Sequence, residues 1–159
     1  MTADQQSRLG AVIAPFVAMP GGLLPLLHAV QAEWGYIPSW AVGAIASALH
    51  LSRAEVHGVI TFYHDLRETP AGRHRVEICR AEACQATGAR QLEGRARVRL
   101  GIDFGETTVD GAVTLDTVYC LGNCACGPSV RIDDALHARV DAATLDGLLI
   151  GLRDEEARR

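Results

Sequence analysis

All five cysteines of this 159-residue chain fall between positions 79 and 126. Cys79 and Cys84 form a C-x4-C pair, Cys120 and Cys124 form a C-x3-C pair, and Cys126 stands just beyond. The surrounding text alternates. His74 to Ile78 reads as a short strand with Val76 and Ile78 on one face. Thr107 to Val109, Asp110-Gly111 and Val113 to Tyr119 read as strand, tight turn, strand. Each cysteine pair therefore follows the carboxyl end of a strand. If those two strands are neighbours, their loops converge and four thiols meet, which restricts the folds open to this half of the chain.

The compartment decides what four thiols are for. Met1 to Gly10 has no basic stretch leading into an apolar run, so no signal peptide is expected and the location reads as cytoplasmic. Thiols stay reduced there, and grouped cysteines then point to metal or redox chemistry rather than to disulfides. A [2Fe–2S] cluster takes two thiolates on each iron. The simplest assignment gives Cys79 and Cys84 to one iron and Cys120 and Cys124 to the other. Gly122, inside the second pair, lets the backbone pass close to sulfur. Structural zinc also takes four cysteines, although usually from C-x2-C knuckles, so a zinc-binding docking module is the alternative from another class. A thioredoxin-type dithiol enzyme would carry C-x-x-C, which is absent. Cys126 reads as a small, partly buried thiol, with replacement of Cys124 as ligand its other reading.

The first half reads as helix. Leu23, Leu24, Leu27, Val30 and Trp34 share one face, and Gly35 ends that helix. Ser39 is the expected N-cap of the next, which carries Val42, Ile45, Ala46 and Leu49. Ser52 and Glu55 stand at capping-box spacing before Val56, Val59 and Ile60. Gly10 to Val30 has no formally charged residue and on length alone could span a membrane. Pro15, Pro20, Pro25 and Gly21-Gly22 argue instead for two short helices joined by a turn, with no membrane insertion.

Thr69-Pro70-Ala71-Gly72 reads as a linker between a helical bundle over 1–71 and a second domain over 72–159. After the first strand, Cys84 to about Leu100 is expected as helix. Val130 to Ile132, Asp133-Asp134 and Leu136 to Val140 form another hairpin, Ala142 to Leu152 a closing helix, and Arg153 to Arg159 a fraying tail. The fold class is α+β. The net charge is −4 and all 15 basic residues are arginine, without a footprint for nucleic acid. Arg95, Arg97 and Arg99 read as a solvated helix face. His57 and His64 are too far apart for the usual metal pair and read as solvent or interface residues. Thr61, Phe62 and Tyr63 read as core and helix end, with contact to a partner or the cluster surroundings as the second reading. No G-x-G-x-x-G and no phosphate loop appear, so no nucleotide site is expected on this chain.

At several of these positions the chain resembles the thioredoxin-like [2Fe–2S] subunits that accompany NADH-handling flavoproteins. The carriers are Leu27-x-x-x-Gln31-x-x-x-Gly35-Tyr36-Ile37-Pro38, Glu55 to Tyr63, and Cys120-Leu121-Gly122-Asn123-Cys124. The likeness covers roughly Leu23 to Leu152. It implies a thioredoxin-like domain holding one [2Fe–2S] cluster on Cys79, Cys84, Cys120 and Cys124, preceded by a helical bundle that docks partners. It implies a non-catalytic electron-transfer role with no catalytic residues on this chain. The implied partners are a flavoprotein subunit, carrying FMN and binding NAD, and a large catalytic subunit. Within the family, Cys79 to Gln85 and Cys124 to Pro128 look most like the gamma-subunit branch of soluble NAD-dependent formate dehydrogenases. Respiratory complex I and NAD-linked hydrogenases are the alternative owners, and Cys126 departs from the broader family pattern.

Overall fold

The structure, a computed structural model, describes residues 2–156, with side chains as far as Leu152. The chain divides into two compact units, Met1–Pro70 and Ala71–Arg159. Among the described residues no helix is long and apolar enough to cross a membrane.

The first unit is helical. α1 (Ala3–Ile13) opens with a capping box in which Thr2 and Gln5 satisfy each other's backbone N–H. A 3-10 turn over Ala14–Phe16 follows, and the chain reverses before α2 (Leu23–Trp34). The reversal is tight at Gly22, where a Cβ would stand 2.5 Å from the Phe16 carbonyl oxygen. Gly35 ends α2 at φ 78°, a left-handed conformation that glycine adopts without a Cβ penalty. α3 (Ser39–Ala48) begins one residue earlier than expected, because Pro38 occupies the N-cap and Ser39, the expected cap, is already helical. α4 (Arg53–Phe62) is capped by Ser52 and Glu55 as the sequence indicates. Leu26, Leu27, Val30, Ile45, Val56 and Ile60 lie in one buried core. Gln31 ties α2 to the chain leaving α4. Its amide donates to the Asp65 carbonyl and its Oε1 accepts the Arg67 N–H, both at 2.7 Å.

The second unit is a five-stranded sheet with helices. Its elements are β1 (His74–Cys79), α5 (Glu82–Ala86), α6 (Ala89–Leu100), β2 (Glu106–Thr107), β3 (Val113–Val118), β4 (Val130–Ile132), β5 (Ala135–His137) and α7 (Ala142–Glu156). The strand order is β2-β3-β1-β4-β5. β1 and β3 run parallel, from His74↔Val113 to Cys79↔Val118, and the other pairs are antiparallel. Val76 and Ile78 of β1 share a core with Leu92 and Ala96 of α6 and Leu145 and Leu149 of α7. Glu77 projects to the opposite face of β1 yet is buried. Its carboxylate is paired with Arg131 across β4 and, at 3.3 Å, with Arg75.

Several further details depart from expectation. The single helix expected from Cys84 to Leu100 is broken at Thr87-Gly88, where Gly88 takes φ 107° and a new helix starts. The closing helix continues to Glu156, since no Gly or Pro interrupts Leu152 to Glu156. The rest of the expected fraying tail, 157–159, lies outside the described residues. The arginines of α6 are also more than a solvated face. Arg95 and Arg99 both bind Asp146 of α7 through paired hydrogen bonds, and Arg97 lies 3.6 Å from Asp103.

Candidate metal centre

The parallel pairing of β1 and β3 builds the site. Cys79 is the last residue of β1 and pairs with Val118, the last of β3, so both chains leave the sheet at the same edge. One loop leads to Cys84 in α5, and the other carries Cys120 and reaches Cys124 in a 3-10 turn over Cys124–Cys126. All five thiols are free. Cys79 and Cys84 are buried, at 1% and 2% exposure, whereas Cys120 and Cys124 are exposed.

The sulfurs gather as two neighbouring pairs. Cys120 Sγ and Cys124 Sγ are 3.6 Å apart, and the Gly122 N–H points at Cys120 Sγ over 3.3 Å. This loop needs unusual backbone, with φ 105° at Cys120 and 75° at Gly122. In the inner pair, burial pushes the Cys79 thiol up. The N–H of Ala81, the Cys84 thiol and the N–H groups of Cys120 and Leu121 together outweigh that and hold it below its ordinary value. Burial pushes the Cys84 thiol up, against the opposing N–H and hydroxyl of Ser129. Cys124 is raised chiefly by its hydrogen bond and charge interaction with Cys120. Among the described residues no three His, Cys, Asp or Glu side chains gather to hold a single metal ion.

Two residues of the site carry no signal in the sequence pattern. Gly127 passes over the inner pair, where a Cβ would stand 2.9 Å from Thr87 Oγ1 and 3.4 Å from Cys84 Sγ. Ser129 is buried, and its carbonyl accepts the Cys79 N–H at 3.1 Å. Cys126 is half-exposed and is fixed through its backbone, to the Asn123 carbonyl at 3.0 Å and the Arg139 N–H at 2.8 Å. His57 is exposed and lies 3.5 Å from Glu68, and His64 stays within its own turn. Phe62 and Tyr63 end α4 as an exposed edge-to-face pair 5.1 Å apart, so the core reading fails for both.

The donor set suits a [2Fe–2S] cluster, with four thiols in two pairs and backbone N–H groups already aimed at sulfur. The model of the thioredoxin-like [2Fe-2S] ferredoxin family matches residues 10–153. The chain belongs to that family. Its prosthetic group is accordingly a [2Fe–2S] cluster. One subunit of the NADH-quinone oxidoreductase of Rhizobium meliloti is 34% identical over 151 residues, covering 95% of this chain and 90% of the relative. The HndA subunit of the NADP-reducing hydrogenase of Solidesulfovibrio fructosivorans is 30% identical over 129 residues, covering 81% and 75%. Among solved structures, an NAD+-reducing [NiFe]-hydrogenase in the air-oxidised state superposes with a TM-score of 0.71 at 23% identity. That match covers 84% of this chain and 23% of the hydrogenase chain, and it shows the fold.

Proposed function

We propose that this chain is an electron-transfer subunit that exchanges single electrons with the FMN of an NAD(H)-binding partner. Cys79 and Cys84 would hold one iron, and Cys120 and Cys124 the other. The observation that carries this reading is the asymmetry of the two thiol pairs. The buried pair keeps water away and is enclosed by fixed N–H donors, while the exposed pair brings the same site to the protein surface. The cluster supplies a one-electron donor and acceptor. The chain's own residues fix the ligands, stabilise added negative charge on sulfur and leave one edge open to a partner. The first unit serves as the docking element, a role supported by Phe62, at 72% exposure, and its neighbour Tyr63. The location in this reading is cytoplasmic.

The assembly we favour is an NAD-dependent formate dehydrogenase, with a molybdenum- or tungsten-bearing catalytic subunit. The support is the text of Cys79 to Gln85 and of Cys124 to Pro128. Relatives that are subunits of NADH-quinone oxidoreductase and of a hydrogenase keep those two owners as alternatives.

Iron and acid-labile sulfide analysis of the anaerobic chain, with EPR after dithionite reduction, tests the cluster and its ligands. Roughly two irons and two sulfides per chain and an S = 1/2 signal are expected. Cys79→Ser and Cys120→Ser should lose most of that signal, and Cys126→Ser should keep it. A wild-type spectrum in Cys120→Ser, or zinc in place of iron in protein from the native host, sinks the reading. Ownership is tested on the native complex. Formate-dependent NAD reduction with bound molybdenum or tungsten supports the dehydrogenase, while nickel or quinone reductase activity rejects it.

A further inference from the structure

Glu93 occupies a place in α6 where apolar side chains are expected. The buried residues of that helix are Ala89, Leu92, Glu93, Ala96 and Leu100, and Glu93 is only 5% exposed. A carboxylate taken out of water is costly unless it is paired and hydrogen-bonded. Its partners come from both ends of the inner cysteine loop. Arg80, the residue after Cys79, brings Nε to 3.3 Å from Glu93 Oε1. Gln85, the residue after Cys84, donates from Nε2 to the same oxygen at 2.7 Å. Arg90 Nε donates to Gln85 Oε1 at 3.1 Å, which turns the amide so that its NH2 faces Glu93. The Arg80 guanidinium also lies over the Phe104 ring, 5.7 Å from its centroid. Ala89, one helical turn before Glu93, lies in one buried cluster with Cys79 and Cys84.

Packing alone would be served by an apolar side chain of similar size. What the carboxylate adds is a shared anchor, because one oxygen on a neighbouring helix holds the residues that follow both inner cysteines. We propose that Glu93 is a positioning residue for the inner thiol pair, fixing the Cys79–Cys84 loop through Arg80 and Gln85 and balancing the Arg80 charge beside it. The clamp belongs to the chain itself, whereas its effect on a cluster rests on the reading of Cys79 and Cys84 as ligands. Net charge is one of the factors that set a cluster's potential. The two members of the ion pair should therefore act on that potential with opposite signs.

Two measurements on the full chain test this, and the first needs no metal. In the reduced, metal-free chain Cys79 and Cys84 are closed to solvent, so iodoacetamide reaches them only when the loop opens. Mass spectrometry of the peptides should show alkylation of that pair about threefold to tenfold faster in Glu93→Gln, Arg80→Gln and Gln85→Ala, with Cys120 and Cys124 unchanged. Wild-type rates, or a rise no larger than the fall in global stability read from the urea midpoint, overturn the clamp. The second measurement is an EPR-monitored redox titration after anaerobic loading with iron and sulfide. Glu93→Gln removes a negative charge and should raise the ratio of reduced to oxidised cluster at a fixed poise about threefold, a midpoint ~30 mV more positive. Arg80→Gln should lower that ratio, the double substitution should return close to wild type, and Gln85→Ala, which removes no charge, should leave the midpoint in place. Shifts of the same sign in Glu93→Gln and Arg80→Gln overturn the charge balance. Should Glu93→Gln fail to fold, Arg80→Gln and Gln85→Ala, at positions that are not fully buried, carry the clamp test, and a midpoint unchanged in Arg80→Gln overturns the charge balance. A Cys79→Ser chain with the wild-type spectrum overturns the ligand reading and the effect on the cluster, while the clamp stands or falls on alkylation alone.

Discussion

The cost of a methyl group at Gly127 follows from what lies beneath it. The Cβ would stand 2.9 Å from Thr87 Oγ1, and that hydroxyl cannot swing away freely because it is bonded to the Ala83 and Cys84 carbonyls. The next atom it would meet is Cys84 Sγ, at 3.4 Å. Gly127→Ala should therefore lower stability by about 1–3 kcal/mol, as overpacking does, and disturb the inner thiol pair. Urea denaturation and the visible spectrum of the same preparation measure both. Gly122→Ala differs in kind. Its Cβ would meet nothing within 4 Å, and the penalty is the left-handed backbone at φ 75°, about 1–2 kcal/mol. Its spectrum should stay close to wild type. At this scale residue type and spacing anticipated a juxtaposition, since the two cysteine pairs do follow parallel neighbouring strands that end at one edge of the sheet. Gly127 and Ser129 were not legible as partners of Cys84, because they meet it only when separate loops fold together.

Between elements, α6 and α7 share an apolar core and are joined at their surface by one carboxylate. Asp146 receives paired hydrogen bonds from Arg95 and Arg99, and these guanidinium groups hold its carboxyl far below the usual carboxylate range. A carboxylate with a depressed folded-state pKa contributes stability at neutral pH. That contribution is lost as pH falls through the ordinary value near ~3.9 and below it. Wild type should thus melt above Asp146→Asn at pH 7, and the gap should narrow steadily from pH 5 to pH 3. A gap independent of pH would show that shape, not charge, joins the helices. In the first unit, Gln31→Ala removes two hydrogen bonds to the 65–67 segment and should cost about 1–3 kcal/mol, read from the urea midpoint. Helix boundaries were legible where a local cap sets them, as at Ser52 and Gly35. They were missed where a neighbour intervened, as at Pro38 and Gly88. The arginine stripe misled because its partners lie on another helix.

For the whole molecule, the question is which unit does what. All four candidate ligands, and every described donor to their sulfurs, lie within Ala71–Arg159. That unit has its own apolar core of Val76, Ile78, Leu92, Leu115, Leu145 and Leu149, and the helical unit has another. Composition marks Thr69-Pro70-Ala71-Gly72 as a change of pattern, but the packing of its last residue was not readable. Gly72 packs against the start of β3, where a Cβ would stand 2.9 Å from the Val113 backbone, and its N–H donates to Thr114 Oγ1 at 2.6 Å. A fragment that keeps its edge must therefore begin at Ala71 rather than later. Produced alone, residues 71–159 should fold cooperatively and bind iron and sulfide in the same ratio as the full chain, with the same EPR signal. The fragment should lose most of its affinity for the flavoprotein, which native mass spectrometry or co-purification would read. Retained affinity would move the docking role onto the exposed Cys120–Cys124 edge. Loss of the cluster from the fragment would mean that the helical unit completes the site, and the division of labour proposed here would have to be redrawn.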